Sequence, residues 1–383
     1  MKIFSFLLSK IIITTICLLQ IIACTNKKER DQHATLLYFN MNNIEKPKLK
    51  DVFSSIEIDT LEFSNMSIIG KRFRGKYFIY IPNKYYIITD NRYVINIFNT
   101  KGDFISSSIN CLGEGPGKYF IMQDIVYNYA ENTIEVLDPF SNIFVYDMNF
   151  NFLQKYKVTI KPNDRFRYFY PLQKDFYALI DNTEISTIHL YNTKTKITRK
   201  IKYDGMIAPL TTNLSPFRIV DDRLYFLPPE INNNIFFCDP QSGLLSREFQ
   251  MEGSNCLNKR DVEKYNNNPK EISNYISTEN KRFVPLNRFI NQQYAITVLL
   301  KQGQLFSNIY NMETNKNRTF SKSPSYDENI PTCVHLEENV MYALVEPSEI
   351  ADFIDIDLVR NKDILKTLKD DDNPCVVKYT IKI

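Results

Sequence analysis

No tryptophan occurs in this sequence, histidine appears three times, and glycine only ten times in 383 residues. The histidines, His33, His189 and His335, stand far apart and form no His-x-His or Glu-x-x-His pair. The spacing that builds transition-metal sites is therefore missing. No Gly-x-Ser-x-Gly elbow is present to partner a histidine in a serine triad. Cys-x-x-Cys is also lacking. Beyond the N-terminal segment the cysteines are Cys111, Cys238, Cys256, Cys333 and Cys375. Their odd number and irregular spacing indicate buried free thiols, not a disulfide framework or a zinc site. The 47 basic residues nearly balance the 44 acidic ones, and neither sign forms a long run. That excludes the electrostatic footprint of a nucleic-acid binder.

Aromatic residues of one kind are abundant: 27 Phe and 24 Tyr, which favour strands. The first residues read as a targeting segment. Lys2 and Lys10 supply positive charge, and Ile11 to Ala23 forms an apolar stretch too short to span a bilayer as a helix. It ends in Ile21-Ile22-Ala23-Cys24, which resembles the bacterial lipobox. Residues 1–23 are expected to be a lipoprotein signal peptide, with cleavage before Cys24 and lipidation of its thiol. Several acyl chains, each CH₂ contributing about 0.8 kcal/mol, make such an anchor effectively permanent. Residues 24–47 are expected to be the lipidated cysteine and a polar tether. Thr25, in a position where aspartate favours retention at the inner membrane, points to the outer membrane.

Internal repetition is the most informative feature. Asp90 matches Asp138, Phe98 matches Tyr146 and Phe104 matches Phe152, all at an offset of 48 residues. Each unit reads as strand, turn, strand, turn, strand. Further units begin near 176, 224, 294 and 340, giving intervals of about 48, 42, 48, 70 and 46 residues. A period of 40–50 built from short strands is a propeller blade. At the two ends, Ile56 to Leu61 and Val377 to Ile383 alternate apolar and polar residues as half-buried strands do. The expected fold is all-β: a six-bladed β-propeller over residues 48–383, closed by its N- and C-terminal strands. The long fourth interval predicts a short helical insert between blades 4 and 5, at residues 251–289. Within it, Asn268-Pro269-Lys270-Glu271 reads as a helix start. A second helix is expected over Lys362–Leu368, capped by Asn361.

Several segments resemble one family, the six-bladed β-propeller lipoproteins related to NHL-repeat and TolB-like propellers. Leu49-Lys50-Asp51-Val52 with Ile58 and Thr60-Leu61-Glu62 resembles its opening strand. Gly113-Glu114-Gly115-Pro116-Gly117-Lys118-Tyr119 resembles its Gly-x-Gly-Pro-Gly-Glu-Tyr hallmark, with Lys118 in place of the usual Glu. Asp372-Asn373-Pro374 before Val377-Lys378-Tyr379 resembles its closing strand. The resemblance covers roughly residues 48 to 383 and implies architecture without a common activity.

Two regions are candidate ligand contacts. One is Glu114 and Lys118 beside the glycine motif, which otherwise reads as a crossover needing positive φ. The other is the insert, where Tyr265, Tyr275, Arg282 and Arg288 are expected to form a polar-aromatic surface. The repeated aspartates Asp90, Asp138, Asp181 and Asp239 read as turn residues. The leading expectation is an envelope-anchored binding or scaffold protein for a glycan, peptide or protein partner, held to the membrane by its lipid and binding no nucleic acid. No catalytic residue, metal ligand or cofactor is assigned. The alternative is a calcium-dependent propeller hydrolase or lyase acting on a sugar lactone, ester or glycan.

Overall fold

The computed structural model describes residues 34–70, 78–160, 165–181, 184, 186–205, 215–253, 255–265, 268–276, 282–323, 326 and 328–383. The leader, Cys24 and the first part of the expected tether lie outside the described residues. Strands β1 (Thr35–Tyr38) and β2 (Ile44–Glu45), one helical turn α1 (Leu49–Val52) and β3 (Phe53–Asp59) come first. Blade 1 holds β4 (Phe78–Ile81), β5 (Tyr85–Thr89), β6 (Ile95–Asn99) and β7 (Phe104–Ser107). Blade 2 holds β8 (Asp124–Asn128), β9 (Thr133–Leu137), β10 (Asn142–Tyr146) and β11 (Phe152–Lys157). In blade 3 are β12 (Phe166–Gln173), β13 (Phe176–Asp181), β14 (Thr187–Asn192) and β15 (Thr198–Lys202). In blade 4 are β16 (Phe217–Val220), β17 (Arg223–Phe226), β18 (Asn234–Cys238) and β19 (Leu245–Glu252). Helices α2 (Lys259–Glu263) and α3 (Pro269–Asn274) precede blade 5. That blade contains β20 (Val284–Ile290), β21 (Tyr294–Lys301), β22 (Gln304–Asn311) and β23 (Lys316–Ser321). Blade 6 takes β24 (Cys333–Glu337), β25 (Val340–Val345) and β26 (Cys375–Ile381) from the C-terminal part and its fourth strand, β3, from the N-terminal part.

The sequence repeat has a local cause. In blades 1 and 2 the second strand is followed directly by Asp90 or Asp138. Asp90 Oδ1 accepts from the backbone N–H groups of Arg92 and Val94, and Asp138 Oδ1 from those of Phe140 and Asn142. The same aspartate two and four residues before the same donors fixes the same turn, which ends on a left-handed residue, Tyr93 or Ser141. Both faces of a middle strand are covered by the adjacent blades. β5, β9 and β10 therefore read as nearly unbroken buried runs. An outer strand such as β11 is exposed along most of its length. The hydrophobic clusters lie mostly in the seams: one joins blades 1 and 2, another blades 6 and 1, another blades 4 and 5.

Each seam also carries a polar tie. Ser106 Oγ donates to Met148 O between blades 1 and 2, and Phe169 N to Asp124 Oδ2 between blades 2 and 3. Tyr203 O–H donates to Glu230 between blades 3 and 4. Arg288 reaches carbonyls of blade 4 from blade 5, and Asn291 Nδ2 donates to Glu338 O between blades 5 and 6. At the last seam, Tyr86 O–H donates to Asp59 Oδ2 at 2.7 Å, and Asp59 also pairs with Lys378 at 2.7 Å.

Closure is as expected from the sequence. β26 pairs antiparallel with β3, setting Tyr379 against Ile56 and Val377 against Ile58. The Tyr379 ring lies 5.0 Å from that of Phe53, and its O–H donates to Phe353 O. Asn373, buried just before β26, accepts from Ile69 N and donates to the carbonyls of Glu62 and Ser67. It thus ties the C-terminal strand to the segment leading into blade 1.

Three expectations change. Residues 34–47 are not simply tether, because β1 pairs in parallel with β19 and β2 in parallel with β23. The chain thereby stitches the outer edges of blades 4 and 5 before completing blade 6. The helical insert is narrower than residues 251–289, since Met251 and Glu252 end β19 and Val284–Phe289 belong to β20. Lys362–Lys366 is a short 3₁₀ segment, and Asn361 does not cap it. The Asn361 amide instead bonds both the N–H and the carbonyl of Ile58, covering the outer edge of β3.

Deletion of Cys375–Ile383 is expected to leave β3 without its strand partner and one edge of β25 open, and to give aggregated protein in size-exclusion chromatography. Asn373→Ala tests the tie more gently. It strands the Ile69 N–H and the Ser67 carbonyl, each costing about 1–3 kcal/mol when buried without a partner, while the Glu62 carbonyl keeps its bond from Ser67 Oγ. The variant should fold and melt clearly below the parent, and an unchanged melting curve would show that the tie contributes nothing.

Candidate functional site

The six first strands, β4, β8, β12, β16, β20 and β24, all border one cavity of about 110 Å³. Only the ring axis can be lined by every blade, so this cavity is the central channel. Its walls are largely aromatic and aliphatic: Phe78 and Tyr80 from β4, Val126 and Tyr127 from β8, Tyr170 from β12, Ile219 from β16, Ile290 from β20 and Leu336 from β24. Among the described residues no aspartate, glutamate or lysine lines it. Its polar groups beyond tyrosine are Ser215, Arg218 and His335.

Arg218 lies on β16, register-paired with Tyr225 on β17. Its guanidinium stacks over Phe289 at 3.9 Å from the ring centroid and donates one hydrogen bond, to Arg288 O at 3.0 Å. Among the described residues it has no carboxylate partner. Burial pushes its pKa down to about 10, and the nearby charge of Arg288 acts in the same sense, so it stays protonated at neutral pH. Ser215 Oγ, buried beside it, has no hydrogen-bond partner among the described residues.

His335 lies edge-on to Tyr80 at 5.2 Å and to Tyr342 at 5.4 Å. It borders channel space yet is surrounded by protein, so it is not hydrated like a surface histidine. Burial pushes its pKa down to about 3, and the Arg218 charge adds to that. His335 is therefore neutral at physiological pH.

The first and second strands of every blade are joined at one end of the ring, and that mouth is acidic. Burial pushes Tyr129 up to about 12, and the charges of Glu337 and Asp222 reinforce the shift. Glu337, which accepts from Tyr342 O–H at 3.3 Å, is itself raised by burial, with Glu338 and Asp221 adding to it.

The residues singled out from the sequence fall elsewhere. Glu114 and Lys118 are exposed in the connection between blades 1 and 2. There Gly113, Gly115 and Gly117 all have positive φ. A Cβ on Gly117 would lie 2.6 Å from Phe152, and Tyr146 O–H bonds the Gly117 carbonyl. Within the insert, the Tyr265 and Tyr275 rings lie 5.0 Å apart, and Arg282 pairs with Asp261 at 3.1 Å. The insert sits between blades 4 and 5, half-way round the ring from Glu114 and Lys118. Arg288 does not belong to that surface. It is 3% exposed on β20, and its guanidinium donates to the carbonyls of Asn232, Asn234 and Pro228. The unit onsets read from the sequence are the second strands of the blades, so the channel-facing first strands were missed. One signal was present: Phe217-Arg218-Ile219-Val220 places a cation inside an apolar run. Among the described residues no three His, Cys, Asp or Glu side chains come together as a metal site would need.

The chain belongs to a family described as a domain of unknown function, DUF4934, which it matches over residues 37–380. No curated protein matches it. It is similar in structure to a Bacteroides fragilis NCTC 9343 protein provisionally named as exported. That likeness covers 91% of this chain and 100% of the other, with a TM-score of 0.67 at 12% identity, and it shows the fold. Two WD40 propellers align more loosely. The domain of Neurospora crassa Pan2 matches at 10% identity and TM-score 0.37, over 80% of this chain and 76% of its own. The C-terminal domain of Sif2 matches at 9% and 0.37, over 77% and 78%.

A pH test isolates His335. An unfolded histidine titrates near 6.5. With its folded pKa held near 3, the unfolded state binds the proton more tightly, so stability is fully present above about 6.5 and falls as pH drops toward 3. The parent should lose melting temperature relative to His335→Gln over that window, while the gap between them stays constant above pH 7. Parallel curves throughout would place His335 in contact with bulk water.

Proposed function

We propose that this chain is an exported, lipid-anchored binding protein whose ligand site is the central channel. One observation carries the reading: a cavity bordered by all six blades, walled by aromatic and aliphatic side chains, with a few convergent polar groups. A volume of about 110 Å³ suits a single ring or a short branched chain. A glycan chain or a protein partner would have to lie on a face of the ring. Export is supported by the leader and the lipobox, and by the provisional name of the Bacteroides fragilis neighbour. Thr25 favours the outer membrane as the anchored site. Kinship with NHL-repeat and TolB-like propellers belongs to the same reading, carried by the Gly113–Tyr119 loop and the closing strand.

Two measurements test it. Cys24→Ala, expressed with its leader in a Gram-negative host, should move the protein from the membrane fraction to the soluble fraction and abolish incorporation of labelled palmitate. Persistence on the membrane with label still incorporated would exclude Cys24 as the anchor. For the channel, a fragment screen by thermal shift should give hits that are lost in Val126→Trp, which fills the cavity. Hits that survive in that variant would place binding elsewhere.

A further inference from the structure

We propose that the channel takes a small organic anion, a carboxylate on a single-ring or short branched apolar body, with its charge received by Arg218 and Ser215. The inference rests on the channel being a ligand site and adds the ligand's chemistry.

The argument begins with what a buried cation requires. Taking a guanidinium out of water is costly unless its N–H groups find acceptors and its charge finds a counter-charge. Four other arginines show how this protein meets that requirement. Arg288 bonds three carbonyls and has Glu230 nearby. Arg223 grips Glu248 with two nitrogens, Arg282 pairs with Asp261, and Arg318 with Glu45. Among the described residues Arg218 has no such carboxylate, and neither has Arg247 on the outer strand β19, but of the two it is Arg218 that borders the channel. A guanidinium carries five N–H donors, and Arg218 uses one of them, on the Arg288 carbonyl. The Phe289 ring compensates part of its charge and fixes its plane, but a ring face accepts no N–H fork. The nearest titratable neighbours do not supply the missing charge: Arg288 repels it, Cys333 is a thiol whose pKa burial raises, and His335 is neutral.

A second observation points to the same spot. Ser215 Oγ is buried and has no hydrogen-bond partner among the described residues, and a buried hydroxyl is usually bonded. Ser215 and Arg218 both border the main cavity and also a small adjoining one of about 10 Å³. Unfilled donors of a fixed cation and an unfilled hydroxyl therefore meet at the junction of two empty spaces. A carboxylate is the group whose two oxygens match a guanidinium fork and leave a lone pair for a hydroxyl. Val126, Ile219, Ile290 and Leu336 offer apolar surface to the rest of such a ligand. For scale, an apolar cavity of roughly 150 Å³ accommodates benzene.

The test uses benzoate, benzyl alcohol and benzylamine as probes in calorimetric titrations of the intact mature protein. Benzoate should bind the parent, with benzyl alcohol and benzylamine at least about tenfold weaker, as expected for loss of a charge-assisted bond. Arg218→Met, which keeps bulk against Phe289, should weaken benzoate by about tenfold or more and leave benzyl alcohol unchanged. Arg218→Lys should restore part of the loss, and Ser215→Ala should give a smaller loss. Equal affinity for benzoate and benzyl alcohol in both parent and Arg218→Met would overturn the anion and leave the channel reading standing. Binding of no probe, together with no Val126→Trp-sensitive fragment hit, would overturn both. Should Arg218→Met fail to fold, iodide soaked into crystals of the parent decides the matter. An anomalous peak at Arg218, abolished by added benzoate, supports the site, and the absence of a peak there sinks it.

Discussion

The pairing of β26 with β3 is the constraint on which the rest of the molecule depends. Each blade covers its faces only against its two neighbours, so a ring with one open seam would expose two apolar sheet faces at once. The closure therefore carries dense interactions. Within blade 6 Phe53 packs on Tyr379 and Asp59 pairs with Lys378, and across to blade 1 Tyr86 bonds Asp59 while Asn373 bonds three backbone groups of the segment leading into that blade. Because the fourth strand of blade 6 comes from the start of the chain, the ring cannot close until almost all of the chain is present.

Much of this was legible in the sequence. The offset of 48 residues between blades 1 and 2 survives because one aspartate-led turn recurs at Asp90 and Asp138, and both the side chain and the backbone geometry require it. Terminal closure was legible because Ile56–Leu61 and Val377–Ile383 alternate visibly. The channel-facing strands were not. Strands β4, β8 and β12 bury both faces, so they show no alternation and resemble any apolar segment. Strands β1 and β2 were hidden for another reason. They add in parallel to outer edges, where backbone hydrogen bonds carry the contact, and Leu36 and Tyr38 stay exposed.

The candidate ligand residues show where sequence reading loses force. Arginine 288 and arginine 282 read as surface cations in an insert, yet both are bound within the protein. Arg218 lies in a short apolar run, yet it is the arginine that borders the channel with no carboxylate partner among the described residues. What separates them is the set of acceptors that the fold brings to each guanidinium, and those acceptors come from distant parts of the chain. Arg288, for example, bonds carbonyls 54 to 60 residues away. A charge inside an apolar run marks a position worth attention, but only the assembled ring tells which such charge is satisfied.

The stitching of blades 4 and 5 bears on how the ring carries force. Any pull arriving from the N-terminal side meets β1 first, and β1 lies parallel to β19 with Thr35 opposite Phe249 and Tyr38 opposite Glu252. Tension along that strand loads its ladder in shear, so the paired residues resist together, whereas a hairpin pulled from its open end would unzip one pair at a time. A second ladder, Ile44 and Glu45 against Thr319 and Phe320, stands in series behind it, and β3 only after that. The strand that seals the ring is thus mechanically shielded by two sacrificial clasps, and drag on the body would strain these before it reached the seal.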